Sequence, residues 1–150
     1  MLHKKIREDM TNAMRAKDAG RLMVLRGLLT AFTNEAVTRG KKPDVELSDD
    51  EAILVIKRAG KQRADSIEQF KKGNRMDLAE VEEKELSVLK EYLPEEMKSE
   101  DIEKIARAKK DELGISDKSK MGILMGAVMK ETGGRADGGV VKEIVSKLFE

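Results

Sequence analysis

The stretch Met121–Phe149, MGILMGAVMKETGGRADGGVVKEIVSKLF, predicts two short amphipathic helices joined by a glycine-rich turn. Gly122 and Gly126 are four residues apart, so they share one face of the first helix. An interior glycine costs a helix about 1 kcal/mol relative to alanine. We therefore expect another backbone to approach this face closely, either a neighbouring helix or a ligand strand.

The turn carries signals that end one helix and begin the next. Gly133 and Gly134 favour the left-handed conformation at which helices end. Asp137 is a suitable N-cap for the second helix. The apolar residues of that helix recur at helical spacing and are Val140, Val141, Ile144, Val145 and Leu148.

Two blocks of residues carry a resemblance to a known family. The first block is Gly126, Val128, Met129, Lys130, Thr132, Gly133, Arg135, Ala136 and Asp137. The second block is Lys61, Gln62, Arg63, Asp65, Ser66, Ile67, Phe70, Arg75, Asp77, Leu78, Glu85, Leu86, Tyr92, Leu93 and Pro94. The first resembles the C-terminal tail of the amidotransferase component GatB, and the two in this order resemble the stand-alone YqeY proteins. The resemblance covers nearly the whole chain and implies an all-helical, two-domain protein whose tail is linked to tRNA binding.

Composition limits the classes of protein that fit the chain. Its 150 residues suffice for one domain or two small ones, and enough of them are apolar to form a core. We find no run approaching the roughly 20 apolar residues of a membrane span and no apolar signal-peptide region near the N-terminus. The absence of cysteine suits a reducing compartment. We therefore expect a cytoplasmic protein that is not associated with a membrane.

The formal net charge of +1 conceals alternating regions of opposite sign. Residues 1–42, 57–75 and 104–150 are basic, whereas residues 43–56 and 76–103 are acidic. Neighbouring helices of opposite charge attract each other. The alternation therefore indicates either charge matching within the chain or a basic face for nucleic acid.

Apolar residues at helical spacing predict two helices at the start of the chain. The first runs to about Lys17. The second runs from about Arg21 to Arg39, with Gly40 as its C-cap.

A long antiparallel helix pair is predicted next. Ser48 and Glu51 form a capping box that begins a helix reaching about Lys72, and Gly73 ends it. The middle of this helix is basic, whereas the polar face of the fourth helix, residues 76–92, is acidic. The carboxylates that we expect to pair with lysine or arginine across the gap are Glu82 or Glu85.

Pro94 and the polar residues after it indicate a domain boundary. We predict an all-α protein with an N-terminal helical domain over residues 1–94 and a small three-helix domain over residues 95–150. Ser99 is the expected N-cap of the fifth helix, which ends at Gly114. Its inward-facing residues are expected to be Ile102, Ile105, Ala106 and Leu113.

The residues that catalysis requires are scarce. Nucleophilic catalysis usually uses cysteine or an activated serine with a histidine, and the one histidine, His3, is expected to be a solvated residue near the terminus. The glycine turn matches neither a phosphate-binding loop of nucleotide triphosphatases nor a dinucleotide fingerprint. We therefore expect no enzyme activity, catalytic residue, metal site, cofactor or small-molecule substrate.

The candidate RNA contacts surround the glycine turn and are Lys130, Arg135, Gly126, Gly133, Gly134, Lys142 and Lys147. Asp137 is expected to occupy the amides at the start of the last helix and to repel phosphate, so Lys130 and Arg135 are the strongest candidates. A second basic patch consists of Lys57, Arg58, Lys61, Arg63 and Arg75. Because aromatic residues form only 3% of the chain, we expect recognition of RNA shape and backbone rather than base stacking.

Two classes of function remain open at this point. The resemblance favours a non-catalytic tRNA-binding accessory module, like the tail of tRNA-dependent amidotransferases and of some glutaminyl-tRNA synthetases. The alternative is a protein-interaction module that docks on an aminoacyl-tRNA synthetase or an amidotransferase. A third hypothesis, participation in amide transfer from glutamine by a carbon–nitrogen ligase, follows from the family association alone.

Overall fold

The computed structural model describes residues 1–133 and 135–150, and within these ranges the protein is all-helical. The α-helices are α1 (Leu2–Arg15), α2 (Ala19–Thr38), α3 (Asp49–Lys72), α4 (Met76–Lys90), α5 (Ser99–Leu113), α6 (Met121–Thr132) and α7 (Gly138–Lys147). A short 3-10 turn, Lys118–Lys120, precedes α6. The predicted all-α class is confirmed. None of the described helices combines the length and the apolar character needed to span a membrane.

The chain divides into two compact units, which we call unit 1 (Met1–Leu93) and unit 2 (Pro94–Glu150). Unit 1 contains α1 to α4, and unit 2 contains α5 to α7. Each unit has its own buried apolar cluster.

In unit 1, α1 packs on α2 and α3 packs on α4, and α2 also contacts α3 and α4. The largest side chains in its core that are almost completely buried are Ile6, Leu25, Phe32, Ile56 and Leu89. A side-chain hydrogen bond to the backbone decides where α2 begins. Asp18 accepts a hydrogen bond from the Arg21 backbone N–H at 3.1 Å, so α2 begins at Ala19 rather than at the predicted Arg21.

The α3–α4 hairpin confirms the predicted long helix pair. Ser48 accepts a hydrogen bond from the Glu51 N–H at 3.2 Å, as expected for the start of α3. Gly73 ends α3, as predicted. Gly73 caps α3 with φ −81°, and Asn74 adopts the left-handed conformation with φ 58°. Asparagine tolerates this conformation better than most residues.

Unit 2 packs α5, α6 and α7 around one cluster. The cluster contains Ile102, Ala106, Ile115, Leu124, Val128, Ala136, Val141 and Val145. Gly114 and Gly133 end α5 and α6 in the left-handed conformation, as predicted. Two predictions about α5 were wrong. Lys98, not Ser99, is its N-cap, and Leu113 is 47% exposed because it lies in the last turn before Gly114.

The prediction for His3 was wrong. Its side chain is buried against Phe32, with the ring centroids 4.9 Å apart. Its Nδ1 atom accepts a hydrogen bond from the Leu47 backbone N–H at 3.0 Å. Burial, and next the positive charge of Arg7, lower the pKa of His3 below its ordinary value, whereas Glu46 opposes this shift. His3 is therefore a structural residue that ties α1 to the loop before α3.

Candidate nucleic-acid interface

The glycine-rich turn of unit 2 is built largely as the sequence predicted. Gly133 takes φ 57° at the end of α6. Asp137 Oδ1 accepts hydrogen bonds from the backbone N–H groups of Gly139 at 2.8 Å and Val140 at 3.2 Å. The cap uses these amides and places a carboxylate beside them, which makes the start of α7 a poor phosphate site. Gly134 lies outside the described residues.

Arg135 is an exposed residue whose guanidinium group is held by one hydrogen bond. Its Nε atom donates to the Thr132 carbonyl at 3.1 Å, and its own carbonyl accepts from the Met97 N–H at 2.8 Å. Lys130 is exposed on the last turn of α6. Across the described parts of the chain, neither cation has a carboxylate within salt-bridge distance. Both charges therefore face solvent without neutralisation.

The other two predicted cations are separated along α7. Lys142 and Lys147 are both exposed. Because they are five residues apart, they point about 140° away from each other around the helix, and Lys147 lies about 15 Å along the axis from Asp137. Lys142 can belong to a surface around the turn, whereas Lys147 lies at the far end of α7.

The glycines of α6 do not serve packing among the described residues. Gly122 and Gly126 are exposed, and a Cβ atom added to either would meet no atom within 4 Å. The expected approach of a neighbouring helix is therefore not seen. The other alternative that the sequence left open, a close approach by a ligand, remains.

Two cations escaped the sequence prediction. Lys118 and Lys120 are exposed just before α6, and the described residues offer neither of them a carboxylate partner. The four-residue spacing of Lys118, Gly122, Gly126 and Lys130 was the available signal, because such spacing is typical of one helix side, although Lys118 lies in the 3-10 turn before α6. We use the name α6 strip for the exposed residues Gly122, Gly126 and Lys130 of α6 together with Lys118 before the helix and Arg135 after it.

The second basic patch, on α3 and α4, differs because most of its cations are paired. Arg63 donates to both Glu82, at 3.1 Å, and Glu85, which confirms the expected pairing across the hairpin. Arg58 contacts Glu35 at 3.1 Å, and Arg75 contacts Asp77 at 3.2 Å. Hydrogen bonds from Arg58, and next from Arg39, hold the pKa of Glu35 below its ordinary value. Lys57 and Lys61 are the members without a carboxylate partner in the described ranges.

Acidic side chains do not gather into a metal site in the part of the chain that the structure describes. No group of three or more histidine, cysteine, aspartate or glutamate side chains there could hold a metal ion. Asp77, Glu82 and Glu85 of α4 instead take part in the ion pairs just described.

Comparison with known proteins identifies the family. A family model described as Yqey-like protein matches residues 3–149. The chain belongs to the YqeY-like protein family. A Lachancea thermotolerans protein named altered inheritance of mitochondria protein 41, mitochondrial, is 41% identical over 90 residues, which cover 59% of this chain and 46% of the relative. Proteins of the same name from Clavispora lusitaniae and Pyrenophora tritici-repentis are 33% and 32% identical.

The matches differ in extent. The Clavispora match covers 59% of this chain and 49% of that protein, whereas the Pyrenophora match covers 97% and 77%. The chain therefore spans about half the length of the first two relatives. The cytoplasmic location expected from composition was wrong on this comparison, because these relatives are named as mitochondrial proteins.

Proposed function

We propose that the chain is a non-catalytic tRNA-binding accessory protein and that the α6 strip is its RNA-binding surface. The observation that carries the proposal is the contrast in charge pairing. Most cations of the basic patch in unit 1 contact carboxylates, whereas those of the α6 strip face solvent without a carboxylate partner among the described residues. Unneutralised lysine and arginine are the groups that bind phosphate.

The open glycines support contact with a nucleic-acid backbone. Gly122 and Gly126 occupy successive turns of α6, and the helix surface is open at these two positions. Lys118 lies before them in the 3-10 turn, and Lys130 lies after them in the last turns of α6. A sugar-phosphate strand can lie against this surface while both lysines reach its phosphates.

The charge around the strip also limits its mode of binding. Asp137 closes the start of α7 to phosphate, so the side of α6 is the better surface. The chain has few aromatic residues for stacking, and in unit 2 the sole one, Phe149, is engaged by Lys110. We therefore propose recognition of RNA shape and backbone, with no reading of bases by stacking.

We also propose that units 1 and 2 are separate domains. The backbone N–H of Met97 donates to the Arg135 carbonyl, which fixes Met97 to unit 2, whereas Glu95 and Glu96 are exposed. A protease that cleaves after glutamate should therefore cut first at Glu95 or Glu96. The two fragments should each give a cooperative melting transition. A resistant linker, or fragments that do not fold, would contradict separate domains.

The relatives' names support a mitochondrial location for the chain. An accessory role would place it with proteins that use tRNA, such as an aminoacyl-tRNA synthetase or an amidotransferase. Both statements are proposals that rest on similarity and on the RNA-binding surface.

The experiment that tests the function is a filter-binding titration with bulk tRNA at two salt concentrations. Counterions released from phosphates make such binding salt-dependent, so affinity should fall steeply between about 50 and 200 mM salt. A nuclease-treated tRNA sample is the control for signal that is retained on the filter without intact RNA. Absence of binding at low salt, or binding that salt does not weaken, would count against the proposal.

A further inference from the structure

The segment that leads from α4 into α5 is attached to a residue of the α6 strip through the backbone of Met97. Residues 94–98, which we call the linker, contain no helical structure. Within the linker, the Met97 N–H donates a hydrogen bond of 2.8 Å to the Arg135 carbonyl, and both residues belong to unit 2. One residue, Arg135, therefore anchors the linker and also presents a charge that we propose to bind phosphate.

The other hydrogen bonds of Arg135 are local. Arg135 lies between the end of α6 and the start of α7, outside either helix. Its backbone N–H and its Nε atom both donate to the carbonyl of Thr132, the last residue of α6, each at 3.1 Å. Among the described residues, the bond from Met97 is the one that reaches Arg135 from a distant part of the sequence. It ties the Arg135 backbone to a segment that the local bonds do not reach.

Met97 is a firm attachment point for this bond. Its side chain packs against the buried cluster of unit 2. Lys98, the next residue, is the N-cap of α5, and its carbonyl accepts from the Ile102 N–H at 3.1 Å. Glu95 and Glu96, by contrast, are exposed. Met97 is therefore the point at which the linker joins the packed part of unit 2.

The hydrogen bonds of Arg135 leave most of its guanidinium group available. The Nε atom bonds to Thr132, whereas neither Nη atom has a partner among the described residues. Arginine offers phosphate two parallel N–H bonds, so the direction of the group matters as well as its charge. A side chain that is already held in the binding direction loses less conformational entropy when it binds. We therefore expect contacts that fix Arg135 to raise its affinity for phosphate.

We propose that Met97 is a positioning residue of the RNA-binding surface, because its backbone N–H holds Arg135 where the guanidinium group can meet a phosphate. This role rests on the proposed RNA-binding function of the α6 strip. Coupling between two binding events is reciprocal, so RNA bound to Arg135 should also strengthen the hydrogen bond from Met97. RNA binding and the attachment of the linker to unit 2 therefore support each other.

Amide hydrogen exchange of the parent protein tests the coupling without a substitution. The Met97 N–H exchanges when its hydrogen bond opens, and bound RNA should make opening rarer. Saturating bulk tRNA should slow exchange about two- to tenfold, the range that one backbone hydrogen bond is worth. The control is the Leu148 N–H, which donates to the Val145 carbonyl at the far end of α7 and should exchange at an unchanged rate. An unchanged rate at Met97, or equal slowing of both amides, would overturn the coupling.

The Arg135→Ala variant separates positioning from simple coverage by RNA. This variant keeps the carbonyl that accepts from Met97 but lacks the guanidinium group. Lys118 and Lys130 remain, so tRNA should still bind at a higher concentration. Under saturation, exchange at Met97 should then be the same with and without tRNA. Slowing as large as in the parent would show that RNA protects Met97 without the Arg135 side chain, and would overturn the positioning role.

A matched pair of substitutions tests the same role through affinity. Met97→Ala removes the side chain but keeps the N–H, whereas Met97→Pro removes both. Met97→Pro should bind tRNA about two- to tenfold more weakly than Met97→Ala. In the Arg135→Ala background the two substitutions should bind alike, because the group that Met97 positions is gone. A difference of the same size in both backgrounds would overturn the positioning role, since a general structural defect acts in both. Circular dichroism melting checks that each variant folds, and hydrogen exchange of the parent decides if Met97→Pro does not.

The filter-binding titration of the parent distinguishes failure of this inference from failure of the proposed function. A parent protein that does not bind tRNA at low salt contradicts RNA binding and the role of Met97 together. A parent that binds tRNA in a salt-dependent manner, with no change in exchange at Met97, contradicts the role of Met97 alone. Salt-dependent binding together with slowed exchange at Met97 is the result that we expect.

Discussion

The basic residues of α3 and those of the α6 strip have opposite surroundings. In α3, Arg58 and Arg63 face carboxylates of α2 and α4, so the charge is neutralised within unit 1. In the α6 strip, Lys130 and Arg135 have no such partner in the described ranges. The two regions are both basic but differ in how available their charges are to a ligand. We therefore expect the side chains opposite a cation, rather than the density of cations, to decide whether a basic helix can bind phosphate.

The glycines divide in the same way. Gly60 of α3 is buried, and an added Cβ would lie 3.5 Å from Leu86 Cδ1 of α4. Gly126 of α6 is exposed and meets nothing within 4 Å. Gly60 therefore serves helix packing between α3 and α4, whereas Gly126 leaves an open surface on α6.

The largest expected effect comes from a matched pair of glycine substitutions. Gly60→Val adds two methyl groups beyond a Cβ that already contacts Leu86, and overpacking of this kind costs about 1–3 kcal/mol. Gly126→Val should change stability by less than about 0.5 kcal/mol while weakening tRNA binding, since the methyl groups would hold the strand away. Chemical denaturation and filter binding measure the two effects. A Gly126→Val protein that loses as much stability as Gly60→Val would break the contrast.

Removing the carboxylates opposite Arg63 tests whether charge pairing keeps α3 from binding RNA. The double substitution Glu82→Gln and Glu85→Gln leaves a half-buried guanidinium with weaker acceptors, and we expect a loss of about 1–2 kcal/mol. The freed charge should also tighten tRNA binding modestly. Glu83→Gln breaks the exposed pair with Lys71 and is the control, with an expected loss below about 1 kcal/mol. Unaltered tRNA binding by the double variant would show that charge pairing is not what excludes α3.

A smaller effect is the pH dependence of stability that His3 should give to unit 1. His3 accepts a hydrogen bond at Nδ1, which requires its neutral form, and burial lowers its pKa. The unfolded chain takes up this proton at a pKa of about 6.5, so unit 1 should lose stability as the pH falls below about 6.5. Melting of the parent and of His3→Gln between pH 7 and pH 5 measures this. The parent should lose more stability with falling pH than the variant, whereas equal slopes would exclude His3 as the cause.

The sequence predicted the helices well because their signals are local. Ser48, Asp137 and Gly114 act on neighbouring backbone groups, so their caps could be predicted from adjacent residues. The sequence did not predict the burial of His3, which depends on Phe32 and Leu47 from other elements. The packing role expected for the α6 glycines failed for the same reason, because the four-residue spacing does not say what lies opposite.

The candidate site was predictable only in part. Their position beside the glycine turn, together with Asp137 as the N-cap, singled out Lys130 and Arg135, and both are exposed. Lys118 and Lys120 lie before the matched block, and their availability depends on the absence of nearby carboxylates in the described structure. Pairing of this kind is set by tertiary packing, which the charge pattern alone left open.

The most direct test of the central claim is a tRNA titration of two double variants that remove the same charge. Lys130→Ala with Arg135→Ala changes the α6 strip, and Lys57→Ala with Lys61→Ala changes the unpaired lysines of α3. We expect the first variant to bind several-fold more weakly and to lower the salt slope by roughly one to two units. The second should bind nearly as the parent does, and both should fold normally. The proposal would be contradicted if the variant with Lys130→Ala and Arg135→Ala binds tRNA as tightly as the parent while the variant with Lys57→Ala and Lys61→Ala loses binding. That result would place the RNA-binding surface on unit 1.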